Sequence, residues 1–192
     1  MKIGVLASQG AFAEHITALK RLSAEAVPVR LPRELNGVGG LIIPGGESTV
    51  IARLMLDDNL SGDIRELARS GLPVMGTCAG VIVMSKKVFP STLEPLRIMD
   101  ISVRRNVFGR QQESFETELP IPALGEPAFP AIFIRAPAIE QVNGAVKVLA
   151  RLADDTIVAA RQGKLLVLAF HPELTDDLRF HRYFLDIIAG KQ

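Results

Sequence analysis

The sequence has no excess of either charge: 22 basic against 21 acidic side chains leave a formal net charge of +1. That balance excludes a field able to gather nucleic acid or an anionic membrane over the whole surface, so the expected partners are small molecules or proteins. Also missing is any apolar run near the roughly 20 residues that a membrane-spanning helix needs. The longest, such as residues 165–170, are strand-sized. No long apolar segment with a secretory cleavage site follows Met1 and Lys2, which makes the cytoplasm the expected compartment. Cysteine is limited to Cys78, which rules out an intramolecular disulfide and leaves a packing residue or a reactive thiol. Composition alone favours packing. Repeats, low-complexity tracts and linkers are absent from the 192 residues, and 48% hydrophobic content suits one compact domain with a substantial core.

What is present is a strand and helix rhythm. Residues 3–7 form a short apolar run, after which Phe12, Ile16, Leu19 and Leu22 recur at helical spacing. Residues 27–31 and 41–43 read as the second and third strands, the third stopped by Pro44, Gly45 and Gly46. Ser48 or Thr49 is placed to cap a helix bearing Val50, Ile51, Leu54 and Met55. A polar helical stretch at 64–68, a strand at 73–76 and a helix at 79–84 continue the pattern. Strands separated by helices imply a mostly parallel sheet covered on both faces, because right-handed crossovers are the accessible connection. After about residue 88 the pattern changes to β-rich stretches at 101–104, 115–119, 131–135, 146–152 and 157–161, an antiparallel extension. The proline-bearing segment 120–130 is expected to be an exposed excursion. A buried strand at 165–170 and a closing helix carrying Leu178, Phe180, Tyr183, Phe184, Ile187 and Ile188 end the chain.

Three loops carry chemistry. Cys78 lies in Gly76-Thr77-Cys78-Ala79-Gly80, after a strand and before a helix, the cysteine form of the nucleophile elbow. Small flanking residues let the backbones come close, and the helix N-terminus favours a negative sulfur. This context overturns the packing reading. His171 follows the strand at 165–170 at its carboxyl end, so it shares a rim with Cys78 and can serve as general acid and base. Glu173 is two residues on; in an extended backbone it points the same way and can fix the imidazole tautomer. Pro172 stiffens the segment between them. His15 and His181 fall in helical patterns, where surface or core roles are commoner than chemical ones. In the third loop, Pro44-Gly45-Gly46-Glu47-Ser48-Thr49, a Gly-rich turn before a helix can be a simple tight turn or can aim amides at an oxyanion. Gly46 N–H and Ala79 N–H are the assigned oxyanion donors. No Gly-Lys-Ser or Gly-Lys-Thr follows, so this is no Walker loop, and nothing points to a metal site.

Together these loops resemble the triad glutamine amidotransferases, class I glutaminases with a flavodoxin-like sheet. Within that group the chain is similar to the glutaminase subunits of pyridoxal 5'-phosphate synthases. The finer likeness rests on Gly4-Val5-Leu6 with Gln9-Gly10 and Glu14-His15, on Arg105-Asn106 with Phe108-Gly109-Arg110-Gln111, on Phe133-Ile134-Arg135-Ala136-Pro137, and on Phe170-His171-Pro172-Glu173-Leu174-Thr175. The resemblance implies a flavodoxin-like three-layer α/β sandwich, with Cys78 as nucleophile, His171 as acid and base, and Glu173 as its orienting partner. It carries L-glutamine binding over to Gly46, Glu47, Ser48, Arg105, Ile134 and Arg135; by charge alone either arginine could instead form an ordinary salt bridge. It further implies no cofactor, and a (β/α)8-barrel synthase subunit as partner in a large hetero-oligomer, taking up the ammonia. Ser8, Ala11 and Val81 depart from the family pattern without touching the triad. A glutaminase for another synthase is disfavoured by residues 105–111 and 133–137; a non-catalytic module is disfavoured by the retained Cys78, His171 and Glu173.

Overall fold

The computed structural model describes residues 1–90, 93–105 and 114–192. The first half alternates strand and helix: β1 (Lys2–Leu6), α1 (Phe12–Arg21), β2 (Glu25–Val29), β3 (Gly40–Ile43), α2 (Ser48–Asp57), α3 (Leu60–Arg69), β4 (Val74–Thr77) and α4 (Ala79–Met84). The second is strand-rich: β5 (Ser85–Phe89), β6 (Met99–Arg104), β7 (Ser114–Leu119), β8 (Phe129–Ile134), β9 (Ala138–Val142), β10 (Lys147–Arg151), β11 (Ile157–Gln162) and β12 (Leu165–Leu168), closed by α5 (Arg179–Ile188). The main sheet runs β2-β1-β3-β4-β12-β11-β9-β6-β5, with β10 beside β11. From β2 to β12 every pairing is parallel. This is the flavodoxin-like order 2-1-3-4-5 with β12 in fifth place. Beyond it, β11, β9 and β6 pair antiparallel, and β5 rejoins parallel to β6. The expected α/β class, parallel core and antiparallel extension are all present.

Alternation within the parallel strands explains the layers, because successive side chains leave a strand on opposite faces. Leu41, Ile43, Val74 and Val167 pack with Ile51 and Met55 of α2, Leu60 and Ile64 of α3, and Val81 to Met84 of α4. Ile3, Val5, Ile42, Met75, Leu166 and Leu168 face the other way, against Leu19 of α1 and Phe180, Phe184 and Ile187 of α5. Both faces are therefore buried, which is why these strands read as unbroken apolar runs. Pro28 is accommodated because β2 is the edge strand.

Several boundaries and one local assignment differ from expectation. The strands β5 and β9 are additional to the sequence reading. Glu47, not Ser48 or Thr49, occupies the cap position of α2, and Ser48 is a buried first-turn residue. The segment 120–130 is only partly an excursion: its middle is exposed, but Ile121 and Phe129 are core residues and Phe129 opens β8. Burying an aromatic and an isoleucine outweighs the proline content as a determinant of where this segment lies. The antiparallel β7–β8 pair stands apart as its own two-stranded sheet, stapled to the second core by Phe129 and Phe133. Of the quoted motifs, residues 106–111 lie outside the described residues.

Phe180 meets Phe129 edge-on at 4.9 Å and lies 5.5 Å from Phe170, with none of the three exposed to solvent. Phe180→Ala should therefore lower stability by about 3–5 kcal/mol, the usual cost of such a cavity. Urea unfolding is the measurement; the midpoint should fall with the slope unchanged.

Candidate active site

The carboxyl ends of adjacent parallel strands are where α/β sheets place their ligands, and four loops meet at that rim. The turn after β4 is tight because glycine permits it. A Cβ at Gly80 would stand 2.2 Å from the Ile43 carbonyl oxygen, and one at Gly76 would come within 2.8 Å of the Gly80 backbone. Between them Cys78 takes φ 48° and ψ −103° at the start of α4, a conformation that a non-glycine residue adopts only when its surroundings impose it. Its N–H donates to the Leu168 carbonyl at 2.8 Å, and its Sγ lies 3.7 Å from the Ile134 carbonyl oxygen.

β12 ends at Leu168, and the chain then bends through Ala169 and Phe170 to His171, whose N–H donates to the Ile132 carbonyl of β8 at 2.8 Å. Glu173 reaches its partner by another route than the one expected. Residues Pro172–Leu174 form a 3-10 turn instead of an extended strand, and within this tight coil the carboxylate curls back so that His171 Nδ1 and Glu173 Oε1 are 2.6 Å apart. Proline at the first position of the turn suits its fixed φ. Gly45 makes the meeting of loops possible: a Cβ there would lie 2.4 Å from His171 Cε1 and 3.2 Å from Cys78 Cβ. The structure thus brings the loops of Cys78, His171 and Glu173 together, all three residues buried.

Their electrostatics are coupled. Burial opposes a charged His171, but hydrogen bonds to Cys78 and Glu173 and the charges behind them overcome it and raise its pKa to about 10. Burial alone would push Glu173 up; the facing imidazoles of His15 and His171 and the hydrogen bond to His171 hold it below the usual carboxylate range.

The glycine turn after β3 is pinned on both sides of Gly46. Gly45 N–H donates to Thr77 Oγ1 at 3.1 Å, Glu47 N–H donates to Gln9 Oε1 at 2.8 Å, and the Gly45 carbonyl accepts from Ala11 N–H at 3.0 Å. A Cβ on Gly46 would sit 2.4 Å from Gln9 Oε1, so a side chain there would displace the amide that accepts the Glu47 N–H. Ala79 is the first residue of α4, directly after the sulfur-bearing residue. Of the remaining candidates, Arg105 forms an ion pair with Glu47 at 3.4 Å, the ordinary salt bridge that charge alone allowed. Ile134 presents its carbonyl to Cys78, and Arg135 follows in an exposed position at φ 42°. Gln9, His15 and Thr77 were missed as site residues. Position 15 lies three residues after Phe12 and four before Leu19, inside the apolar stripe of α1, and a polar residue in such a stripe is the signal that could have found it.

Comparison with known proteins decides the family. The SNO glutamine amidotransferase family model matches residues 5–189. The chain belongs to that family. It is 55% identical to the pyridoxal 5'-phosphate synthase subunit PdxT of Pelotomaculum thermopropionicum, over 97% of this chain and 94% of that protein. It is 54% identical to PdxT of Carboxydothermus hydrogenoformans, over 98% of each. A crystal structure described as a glutamine amidotransferase superposes with a TM-score of 0.93 at 46% identity, over 97% of this chain and 98% of that one. The family sets the fold seen here in its common context, a curled, mostly parallel sheet with the elbow at its rim.

Behind the site lie two more buried imidazoles. Burial, reinforced by the neighbouring His15, lowers His181 to about 3. Unfolded, His181 takes up a proton near its ordinary value of 6.5. Between those values the unfolded chain binds more protons, so stability falls as pH drops from 6.5 towards 3, with a slope approaching about 1.4 kcal/mol per pH unit for one such group. His171 works in the other direction: its contribution is complete below its ordinary value of 6.5 and is lost as pH rises towards 10, outside the acid window. In urea titrations at about pH 7 and about pH 5, the wild-type chain should lose stability at the lower pH. His181→Gln, which keeps an N–H for His15 but cannot titrate, should lose less; equal losses would remove His181 from the account.

Proposed function

We propose that the chain is the glutaminase subunit of a pyridoxal 5'-phosphate synthase, hydrolysing L-glutamine to L-glutamate and ammonia for a synthase subunit. The observation that carries this reading is a cysteine on a strained elbow beside a histidine whose far nitrogen is held 2.6 Å from a buried carboxylate. Membership of a glutamine amidotransferase family and the PdxT relatives support it.

In the proposed reaction the Cys78 sulfur, as thiolate beside the His171 imidazolium, attacks the side-chain amide carbon of glutamine. The carbonyl oxygen takes the negative charge, which Gly46 N–H and Ala79 N–H receive; losing one such donor typically costs about 100-fold to 1000-fold in rate. His171 gives its proton to the departing nitrogen, ammonia leaves, and a glutamyl thioester remains. His171, now neutral, draws a proton from water as the water attacks the thioester, and glutamate is released with the thiolate restored. Glu173 keeps the Nδ1 proton of His171 in place throughout, so that Nε2 is the nitrogen that exchanges protons. Glutamine is held by Gly46, Glu47, Ser48, Arg105, Ile134 and Arg135. The zwitterion offers a carboxylate for an arginine and an ammonium for Glu47, so glutamine would exchange into the Arg105–Glu47 pair. Ser48 is buried and acts through its backbone. Ammonia is handed to a (β/α)8-barrel synthase subunit in a large hetero-oligomer, and the site of action is the cytoplasm. No cofactor takes part in this chain's reaction.

With synthase present, Cys78→Ser should abolish glutamine hydrolysis with the fold intact, because the hydroxyl is nearly isosteric but a far weaker nucleophile. His171→Asn should lose nearly all turnover, and Glu173→Gln less, since the first removes the proton carrier and the second only its orientation and charge support. Ammonia release at saturating glutamine is the measurement. A tenth of wild-type turnover surviving in Cys78→Ser would end the nucleophile assignment, and negligible losses in both other variants would reduce His-Pro-Glu to a structural turn.

A further inference from the structure

Glu173 orients His171 through one oxygen, and something must hold the carboxylate itself. The other oxygen, Oε2, is buried and has no hydrogen-bond partner among the described residues. Facing it at 3.4 Å is Nε2 of His15, a residue of α1 with no solvent exposure. The same Nε2 lies 3.1 Å from Thr77 Oγ1, and the Thr77 oxygen accepts the Gly45 N–H. On its far side His15 Nδ1 is 3.0 Å from Nε2 of His181 on α5. One imidazole therefore stands where the Glu173 turn, the residue before Cys78 and the residue before Gly46 converge.

The proton positions follow from what the neighbours can accept. A carboxylate only accepts, so a bare Nε2 on His15 would set two lone pairs against each other 3.4 Å apart. A proton on Nε2 instead faces Oε2 and Thr77 Oγ1 together. His15 Nδ1 is then an acceptor and takes the proton of His181 Nε2, which leaves His181 Nδ1 as a bare nitrogen. That agrees with its burial without a partner, since an unmet acceptor is tolerated better than an orphaned N–H. The reverse arrangement would bury an unpaired N–H at His181. Burial outweighs the attraction of Glu173 and keeps His15 below its ordinary pKa, hence neutral, with one proton to place. The imidazoles meet their neighbours at hydrogen-bond distances, His15 with His181 and Thr77, and His171 with Glu173.

We propose that His15 is a positioning residue: with its Nε2 proton set between Glu173 Oε2 and Thr77 Oγ1, it fixes the carboxylate that orients His171 and the peptide that leads into the oxyanion loop. His181 holds the tautomer. The inference rests on the glutaminase reading above and deepens it, because it assigns to α1 a part in aligning both halves of the reaction, proton transfer and oxyanion support. A misplaced carboxylate or peptide acts on the transition state more than on bound glutamine, so the loss belongs in kcat and not in KM.

The test compares two amides at position 15 in the complex with the synthase subunit. Glutamine places its NH2 near the position of Nε2, whereas asparagine reaches only as far as Nδ1. His15→Asn should lower kcat about 10-fold to 100-fold, the scale of loss when reacting groups are misplaced by up to about 1 Å, with KM changed less than about threefold. His15→Gln should recover most of the loss. Combined with Glu173→Gln, His15→Asn should cost much less than it does alone, because the group it positions has gone. Equal activity of the two amides, or full additivity with Glu173→Gln, would overturn the role of His15 while Cys78→Ser remained inactive and the glutaminase reading stood. Turnover retained in Cys78→Ser would overturn both.

Discussion

The site depends on how closely the backbones at the carboxyl ends of β3, β4 and β12 approach one another. Any side chain at Gly80 would have to share space with the Ile43 carbonyl, and a backbone oxygen within a parallel sheet cannot yield. With glycine there, α4 docks directly on the end of β3, the turn from β4 has no slack, and Cys78 is forced to positive φ. Strain of this kind costs of order 1–3 kcal/mol and persists only where packing over-determines it. The surroundings do so here: α4 is buried along its whole length, and the Cys78 N–H is tied to Leu168. The same closeness at Gly45 lets the His171 ring lie against the glycine turn after β3. Cysteine, histidine and the glycine turn meet because three chain segments come together without side chains between them.

A second consequence is that the ionisable groups behind the rim are cut off from water. His15, His181, Glu173 and His171 form a continuous run of buried polar contacts from α5 to the sulfur. Burial keeps His181 and His15 neutral, while the contact between Glu173 and His171 and the groups around them hold Glu173 negative and His171 positive against the same burial. The charged pair lies nearest the sulfur, where the proposed mechanism moves a proton. The neutral pair lies deepest, where an unpaired charge would be most costly.

Which parts of this were legible in the sequence follows from how local each cause is. The parallel strands and their helices were readable because burial on both faces leaves continuous apolar runs, and the helix at 79–84 was placed with the bounds it has. Cys78 and the glycine turns were readable because a strand, a small-residue turn and a helix are consecutive in the chain. β5 and β9 were not: Ser85–Phe89 is a largely exposed strand with two lysines, and Ala138–Val142 has polar residues at its end, so neither shows the two-faced run. β5 is held in the sheet by pairing with the following strand β6, and β9 by pairing with β6 and β11, pairings that their own sequences do not announce. The contact of His171 with Glu173 was expected and its backbone was not, since Pro172 suits an extended link and a 3-10 turn equally by φ. His15 and His181 belong to helices 166 positions apart, and their contact exists only in the assembled fold.

The antiparallel half does more than widen the sheet. Among the described residues the β7–β8 pair shares no ladder with the parallel strands, and side-chain packing through Leu119, Phe129 and Phe133 anchors it. Yet β8 supplies the Ile132 carbonyl that receives the His171 N–H and the Ile134 carbonyl that faces the Cys78 sulfur. His171 comes after β12 has ended: Ala169 N–H still donates to the Val158 carbonyl of β11 at 2.7 Å, and the His171 N–H turns to β8. Without β8 its backbone would lack its anchor at 2.8 Å, and the imidazole would be held from the carboxylate side alone. For the proton transfers proposed above, the ring needs both its plane and its origin fixed, because displacements near 1 Å cost about 100-fold in rate. The parallel sheet brings the sulfur to the rim, α1 and α5 secure the carboxylate from behind, and β8 closes the frame from the side, so residues from every layer constrain one imidazole.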